Sequence, residues 1–183
     1  MVLDACVLVP ASLRSILLRS AAAGMHRVLW GEGILAETER NLARLTSGER
    51  ARQTVAFLRE IFPEALVADD PSLVPATTVD EKDRHVLAAA IVAGAQVIVT
   101  FNLRHFPVGA LEPYRVAAQG PDEFLLNLLD LDPERVIEII EQQAAALQRP
   151  PLTASDVLDQ LAIHAPTFAN QARLLIRPRE LPG

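Results

Sequence analysis

The chain opens on a run that leaves few structural options. Val2, Leu3, Ala5, Cys6, Val7, Leu8 and Val9 are apolar, and the one charge among them is Asp4. Such a stretch, with no polar alternation, predicts a strand covered on both faces, as in a parallel sheet packed between helices. Pro10 suits the first turn of a following helix, where its missing N–H costs nothing. Leu13, Ile16, Leu17 and Ala21 then recur at helical spacing from Ala11, and Gly24 supplies the stop.

The alternation continues. Residues 27–30 are too short to assign. A helix is expected over 34–45, with Ile34, Leu35, Thr38, Leu42 and Leu45 inward, and Gly48 ending it. A second is expected over 49–62, closed by Pro63, before a loop rich in Asp69, Asp70, Pro71 and Pro75. Residues 80–93 read as a helix with Val86, Leu87, Ala90 and Ile91 inward and Gly94 at its end. Residues 96–100 form another apolar strand with Asn102 just beyond it, and 115–118 suit a last strand.

From Pro121 on the pattern is helical only. Helices are expected over 121–131, 133–147 and 153–164, each with a start signal, and Pro150-Pro151 separates the last two. Residues 165–183 fit either an ordered cap or a loose end. The expected organisation is an α/β domain over 1–120, with a central parallel sheet flanked by helices, and an all-helical extension over 121–183. Ligands in such sheets bind at the carboxyl ends of strands, where Asp4 and Asn102 fall.

Composition narrows the function. Half the residues are hydrophobic but only 4% are aromatic, so aliphatic side chains must build the core. No apolar run approaches the roughly 18 residues of a membrane-spanning helix. The first ten residues carry Asp4 and lack a basic segment, unlike a signal peptide. With Cys6 as the one cysteine and four scattered histidines, neither an internal disulfide nor a zinc cluster is expected, and the cytoplasm is the expected compartment. A net charge of −6 argues against non-specific nucleic-acid binding, yet suits a nuclease whose acidic site holds metal.

The carboxylates carry the chemistry, each beside a plainer alternative. An ionised Asp4 within an apolar strand needs a partner or a metal, or else caps the adjoining loop or helix. Asp83 lies in line with Leu87 and Ala90 and so faces inward, but Asp80 and Asp83 also fit a capping arrangement at a helix start. Glu37 and Glu39 flank their helix's apolar face on opposite sides, and periodicity does not choose between them. Asn102 offers an amide oxygen, or is a turn residue. Taken together, these are oxygen donors without clustered Cys or His, the set preferred by Mg²⁺ or Mn²⁺. Phosphodiester hydrolysis uses such ions to activate water and offset charge on the leaving oxygen.

Three stretches now resemble the PIN domain of VapC-type toxins: Val2 to Val9; Leu29-Trp-Gly-Glu-Gly-Ile-Leu-Ala-Glu37; and Asp80-Glu-Lys-Asp-Arg-His-Val-Leu-Ala-Ala-Ala-Ile91 followed by Val97-Ile-Val-Thr-Phe-Asn-Leu-Arg-His-Phe-Pro107. The resemblance covers roughly residues 1–120. It implies a PIN-like fold and a metal-dependent endoribonuclease, with Asp4, Glu37 and Asp83 as carboxylate ligands of Mg²⁺ or Mn²⁺. Asp80 is then an acidic neighbour, and Asn102 stands where many members have a fourth acid. Thr100 matches a hydroxyl position. Cys6 replaces a frequent Asn, and Ser15 stands where the subfamily tends to have Asp. The helical tail resembles the C-terminal extension of one VapC subgroup. The resemblance further implies an RNA substrate, with tRNA and rRNA as candidates, a cognate antitoxin that occludes the site, and homodimers. Arg14, Thr100, Arg84 and Arg104 are candidate RNA contacts, beside His85 and His105, with ordinary solvated surface charge as the plainer reading of the basic ones. Two alternatives stand: a PIN-fold binding module without catalysis, and a haloacid-dehalogenase-like phosphatase, whose Asp-x-Asp pattern Cys6 interrupts.

Overall fold

In a computed structural model of the chain, residues 1–68, 70, 73, 79–146 and 151–176 are described. Two compact units divide it. One comprises Met1–Arg14 and His26–Gly120, the other Ser15–Met25 and Pro121–Gly183. The dividing points at residues 14–15 and 25–26 assign most of one helix, α2 (Ala11–Ala22), to the second unit.

The first unit is a parallel sheet with helices against it. Strand β1 (Val2–Leu3) pairs with β4 (Val97–Val99), and β4 with β5 (Ala117–Gln119), all parallel. On the other side of β1, Leu3 donates its N–H to Leu29 at 3.0 Å, in the segment leading into β2 (Trp30–Gly31). β2 in turn pairs in parallel with β3 (Leu66–Val67). Val2, Leu3, Trp30, Ile98 and Val99 are all fully buried, as expected of short strands covered on both faces. Trp30 anchors one end, edge-on to Phe62 with ring centroids 6.0 Å apart.

The opening run is not the continuous strand expected of it. β1 ends at Leu3, and Ala5–Leu8 wind into a helical turn, α1. Asp4 is the joint: it keeps extended dihedrals, and its carbonyl accepts the Val7 N–H at 3.1 Å. A run apolar on every side carries no periodicity, so strand and helical turn look alike in it. Arg14 closes this turn, its Nη1 donating to the carbonyls of Leu8 (2.6 Å) and Val9 (3.1 Å).

Helices α3 (Glu32–Leu45) and α4 (Gly48–Ile61) pack on each other, with Ser47 capping α4 through the Arg50 N–H. Leu45, expected inward, is 71% exposed at the end of α3, whereas Leu42, one turn earlier on the same face, is buried. Residues 80–93 begin with a tight turn, Glu81–Asp83, before α5 (Arg84–Val92). α5 lies against β1, β2, β4 and α3 with Val86 to Ala90 buried, and Gly94, at a φ of 61°, turns the chain out of it. After α6 (Val108–Leu111), Arg115 adopts a left-handed conformation with φ 55°, which delays the last strand to Ala117.

The second unit packs α7 (Pro121–Leu131), α8 (Pro133–Ala146), α9 (Ala154–Ala162) and α10 (Pro166–Leu175) on one another. Thr153 and Asp156 form a reciprocal capping box at the start of α9. Of the segment 165–183, residues 177–183 lie outside the described residues, and the part described includes α10, which is ordered over Pro166–Leu175. Its Phe168, Ala169 and Ala172 are fully buried, and Asp122 accepts the N–H groups of Thr167 and Phe168 at 3.2 and 2.8 Å. Asp69, Pro71, Pro75, Pro150, Arg177, Pro178, Arg179 and Pro182, noted in the sequence, lie outside the described residues.

Candidate active site

The β1–β4 register sets the centre of the site. Leu3 faces Val99, so the next residues, Asp4 and Thr100, leave the sheet side by side. Asp4 is 2% exposed and Thr100 fully buried. Thr100 Oγ1 donates to Asp4 Oδ2 at 2.6 Å and accepts the Asn102 backbone N–H at 2.9 Å. Cys6 Sγ also donates to Asp4 Oδ2, at 3.1 Å, and accepts the Phe101 N–H at 3.3 Å. Burial, and next the charge of Asp4, pushes the Cys6 thiol up to about 12, so it remains an S–H donor. Asp4 makes no side-chain cap bond to α1, so the capping alternative does not account for its burial.

Asp83, 7% exposed, stands where the tight turn meets α5. It makes no side-chain cap bond; its Oδ2 instead lies 2.7 Å from His105 Nδ1. Asp80 is the capping residue, accepting the Lys82 N–H at 3.0 Å, and it is exposed. The two carboxylates that spacing left equivalent therefore do different things.

Glu37 and Glu39 also separate. Glu37 turns toward α5, with Oε2 3.5 Å from His85 Nε2, an ion-pair distance outside hydrogen-bond geometry, and Oε1 3.5 Å from Asn41 Nδ2. Glu39 lies on the side of Arg59, whose pKa it helps raise after the larger effect of Glu32. Close approach of the helices makes the first arrangement possible: a Cβ on Gly33 would stand 3.0 Å from His85 Cδ2.

The basic residues divide as well. Arg14 is engaged by the carbonyls that end α1, and burial lowers its pKa. Arg84 Nε stands 3.5 Å from the Val79 carbonyl. Arg104 is exposed and donates from Nε to His105 Nε2 at 3.3 Å. Ser15 accepts from Arg19 Nε within α2. The roles of His85 and His105 as carboxylate partners were not read from the sequence, where both counted only as basic residues.

The donor chemistry fits a hard divalent cation: carboxylate oxygens, with Asn102, whose backbone N–H is bonded to Thr100, carrying an amide oxygen. Among the described residues, however, no three His, Cys, Asp or Glu side chains are drawn together closely enough to form a ready-made metal cage. Asp83 and Glu37 lean on histidines instead.

A parallel sheet with acidic side chains at its strand and helix ends is the PIN arrangement. The family model described as "PIN domain" matches residues 1–104, and the chain belongs to that family. A second model, "VapC50 C-terminal domain", matches residues 121–174, which hold α7 to α10. The chain is similar to "Putative ribonuclease VapC50" of Mycobacterium tuberculosis (strain ATCC 25618 / H37Rv), at 48% identity over 103 residues. That alignment covers 56% of this chain and 61% of the relative, so less than two thirds of the relative's length is matched. No solved structure matches the chain. Membership in the PIN family replaces the dehalogenase-like alternative. No helix among the described residues is long and apolar enough to cross a membrane.

Proposed function

We propose that this protein is a metal-dependent endoribonuclease of the VapC toxin kind, acting in the cytoplasm and neutralised by a cognate antitoxin. The observation that carries the reading is the burial of Asp4 and Asp83 in a PIN fold. Carboxylates withdrawn from water need charge compensation. The similarity to a protein named as a ribonuclease supports the substrate class.

In this reading Asp4, Glu37 and Asp83 hold Mg²⁺ or Mn²⁺, with Asp80 and Asn102 at the margin. The cation, when bound, activates water and offsets charge on the phosphate. Thr100 and Cys6 hold Asp4 in one orientation. Arg104, exposed beside the site, is the best placed of the arginines to meet an RNA phosphate, followed by Arg84; Arg14 is committed to the backbone. One or two such contacts beside the cation reconcile a net charge of −6 with an RNA substrate. A homodimer belongs to the same reading.

The test is incubation of the purified protein, free of partner, with total RNA and defined tRNAs in Mn²⁺, Mg²⁺ or EDTA, beside Asp83→Asn. Discrete fragments that need metal and vanish in the variant are expected. Full cleavage by the variant would sink the site assignment. Absence of cleavage by the wild type in every metal favours the second reading, a PIN-fold binding module. That reading draws on Asn102 in place of an acid.

A further inference from the structure

Each carboxylate of the proposed site is held by dedicated donors. Asp4 Oδ2 takes Thr100 and Cys6, Asp83 Oδ2 meets His105 Nδ1, and Glu37 lies between Asn41 and His85. Among the described residues, Oδ1 of Asp4 and Oδ1 of Asp83 carry no hydrogen bond. Of these pairings, the one on Asp83 is the shortest made by an imidazole and the most fully determined.

We infer that His105 is a positioning residue for Asp83, holding Oδ2 so that Oδ1 remains available to a cation. The inference rests on the reading of Asp83 as a metal ligand. Three features support it. Arg104 donates from Nε to His105 Nε2, which makes that nitrogen the acceptor and leaves the ring proton on Nδ1, facing Asp83. The turn Leu103–His105 is pinned at both ends, by the His105 N–H on the Asn102 carbonyl (2.9 Å) and the Phe106 N–H on the Leu103 carbonyl (3.0 Å). Phe106, next in sequence, is buried and anchors the turn in the core. The imidazole thus arrives on a fixed backbone with a fixed tautomer, which lowers the cost of presenting one carboxylate oxygen. It also joins the β4 end of the site to α5, since Asp83 opens α5 and Asn102 follows Thr100.

Mn²⁺ binding to the full chain, followed by the electron paramagnetic resonance signal of the free ion, tests this without recourse to cleavage. Asp83→Asn should abolish binding. His105→Ala should weaken it about 10- to 100-fold, the usual effect of losing a hydrogen-bond partner behind a ligand. His105→Asn, whose amide N–H takes the place of Nδ1–H, should recover most of the affinity. If His105→Ala fails to fold by circular dichroism, His105→Leu, of similar bulk and without a donor, takes its place against His105→Asn. Wild-type affinity in the donor-less variant, with binding lost in Asp83→Asn, overturns the positioning role and leaves the metal reading standing. Wild-type binding by Asp83→Asn removes the metal reading of Asp83, and this inference with it.

Discussion

The Thr100 hydroxyl donates to Asp4 Oδ2 at 2.6 Å, joining side chains 96 positions apart in the chain. Both are buried, so the bond is made where water cannot replace it. Thr100→Val keeps the shape and removes the donor, which should cost about 1–3 kcal/mol, the range for a buried group left short of a partner. Thr100→Ser should return most of that. Urea denaturation of the three proteins is the measurement, and a Val midpoint equal to wild type would show that the hydroxyl contributes nothing.

Gly33 sets how closely α3 approaches α5. Gly33→Ala gains some helix propensity, up to about 1 kcal/mol in a helix interior and less here, since Gly33 lies in the first turn of α3. It also pushes a methyl to 3.0 Å from the His85 ring, and crowding of this kind costs about 1–3 kcal/mol. A net loss of stability is expected, together with displacement of His85 from Glu37. In a His85→Ala background the same substitution should stabilise, because the ring is gone. A double-mutant cycle by chemical denaturation decides, and additive effects would count against the contact.

Asp122 belongs to α7 but caps α10, through the N–H groups of Thr167 and Phe168. Asp122→Ala should destabilise the helical unit by about 0.5–2 kcal/mol. Amide hydrogen exchange should rise first at the start of α10. Unchanged protection of Thr167 and Phe168 would mean that the cap is not formed in solution.

His26 makes stability depend on acid. Burial, and then the N-terminal ammonium, lowers its pKa from 6.5 to about 4. The folded chain therefore takes up this proton less readily than the unfolded one. Stability from this group is full above about 6.5 and falls as pH drops toward about 4, by on the order of 3 kcal/mol in all. His26→Gln should flatten that part of the pH–stability curve. A curve that falls as steeply in the variant would assign the loss to other groups.

The longer helices and the strand at residues 97–99 could be read from the chain alone, because apolar spacing and capping residues are local signals, whereas the short β2, β3 and α6 were not assigned. Leu87 and Ala90 placed Asp83 on an inward face, and the structure buries it. Thr153 and Asp156 marked the start of α9, and their reciprocal bonds are present. The split of the opening run at Asp4 was not legible, since a segment buried on all sides has no period. Nor was α10, whose start depends on a carboxylate 45 positions away in sequence.

Which residues are acidic, which faces are apolar and where most helices begin and end were set by the chain's local order, because those properties lie within a few residues of one another. Which distant side chain meets which carboxylate was settled by packing, beside local partners such as Cys6 on Asp4 and Asn41 on Glu37. The Leu3–Val99 register brings Thr100 to Asp4, the Leu103–His105 turn brings His105 to Asp83 across 22 positions, and the close approach at Gly33 brings His85 toward Glu37 while Glu39 is left to Arg59. Spacing along one element fixes a side chain's face, but its partner is fixed by how separate elements pack.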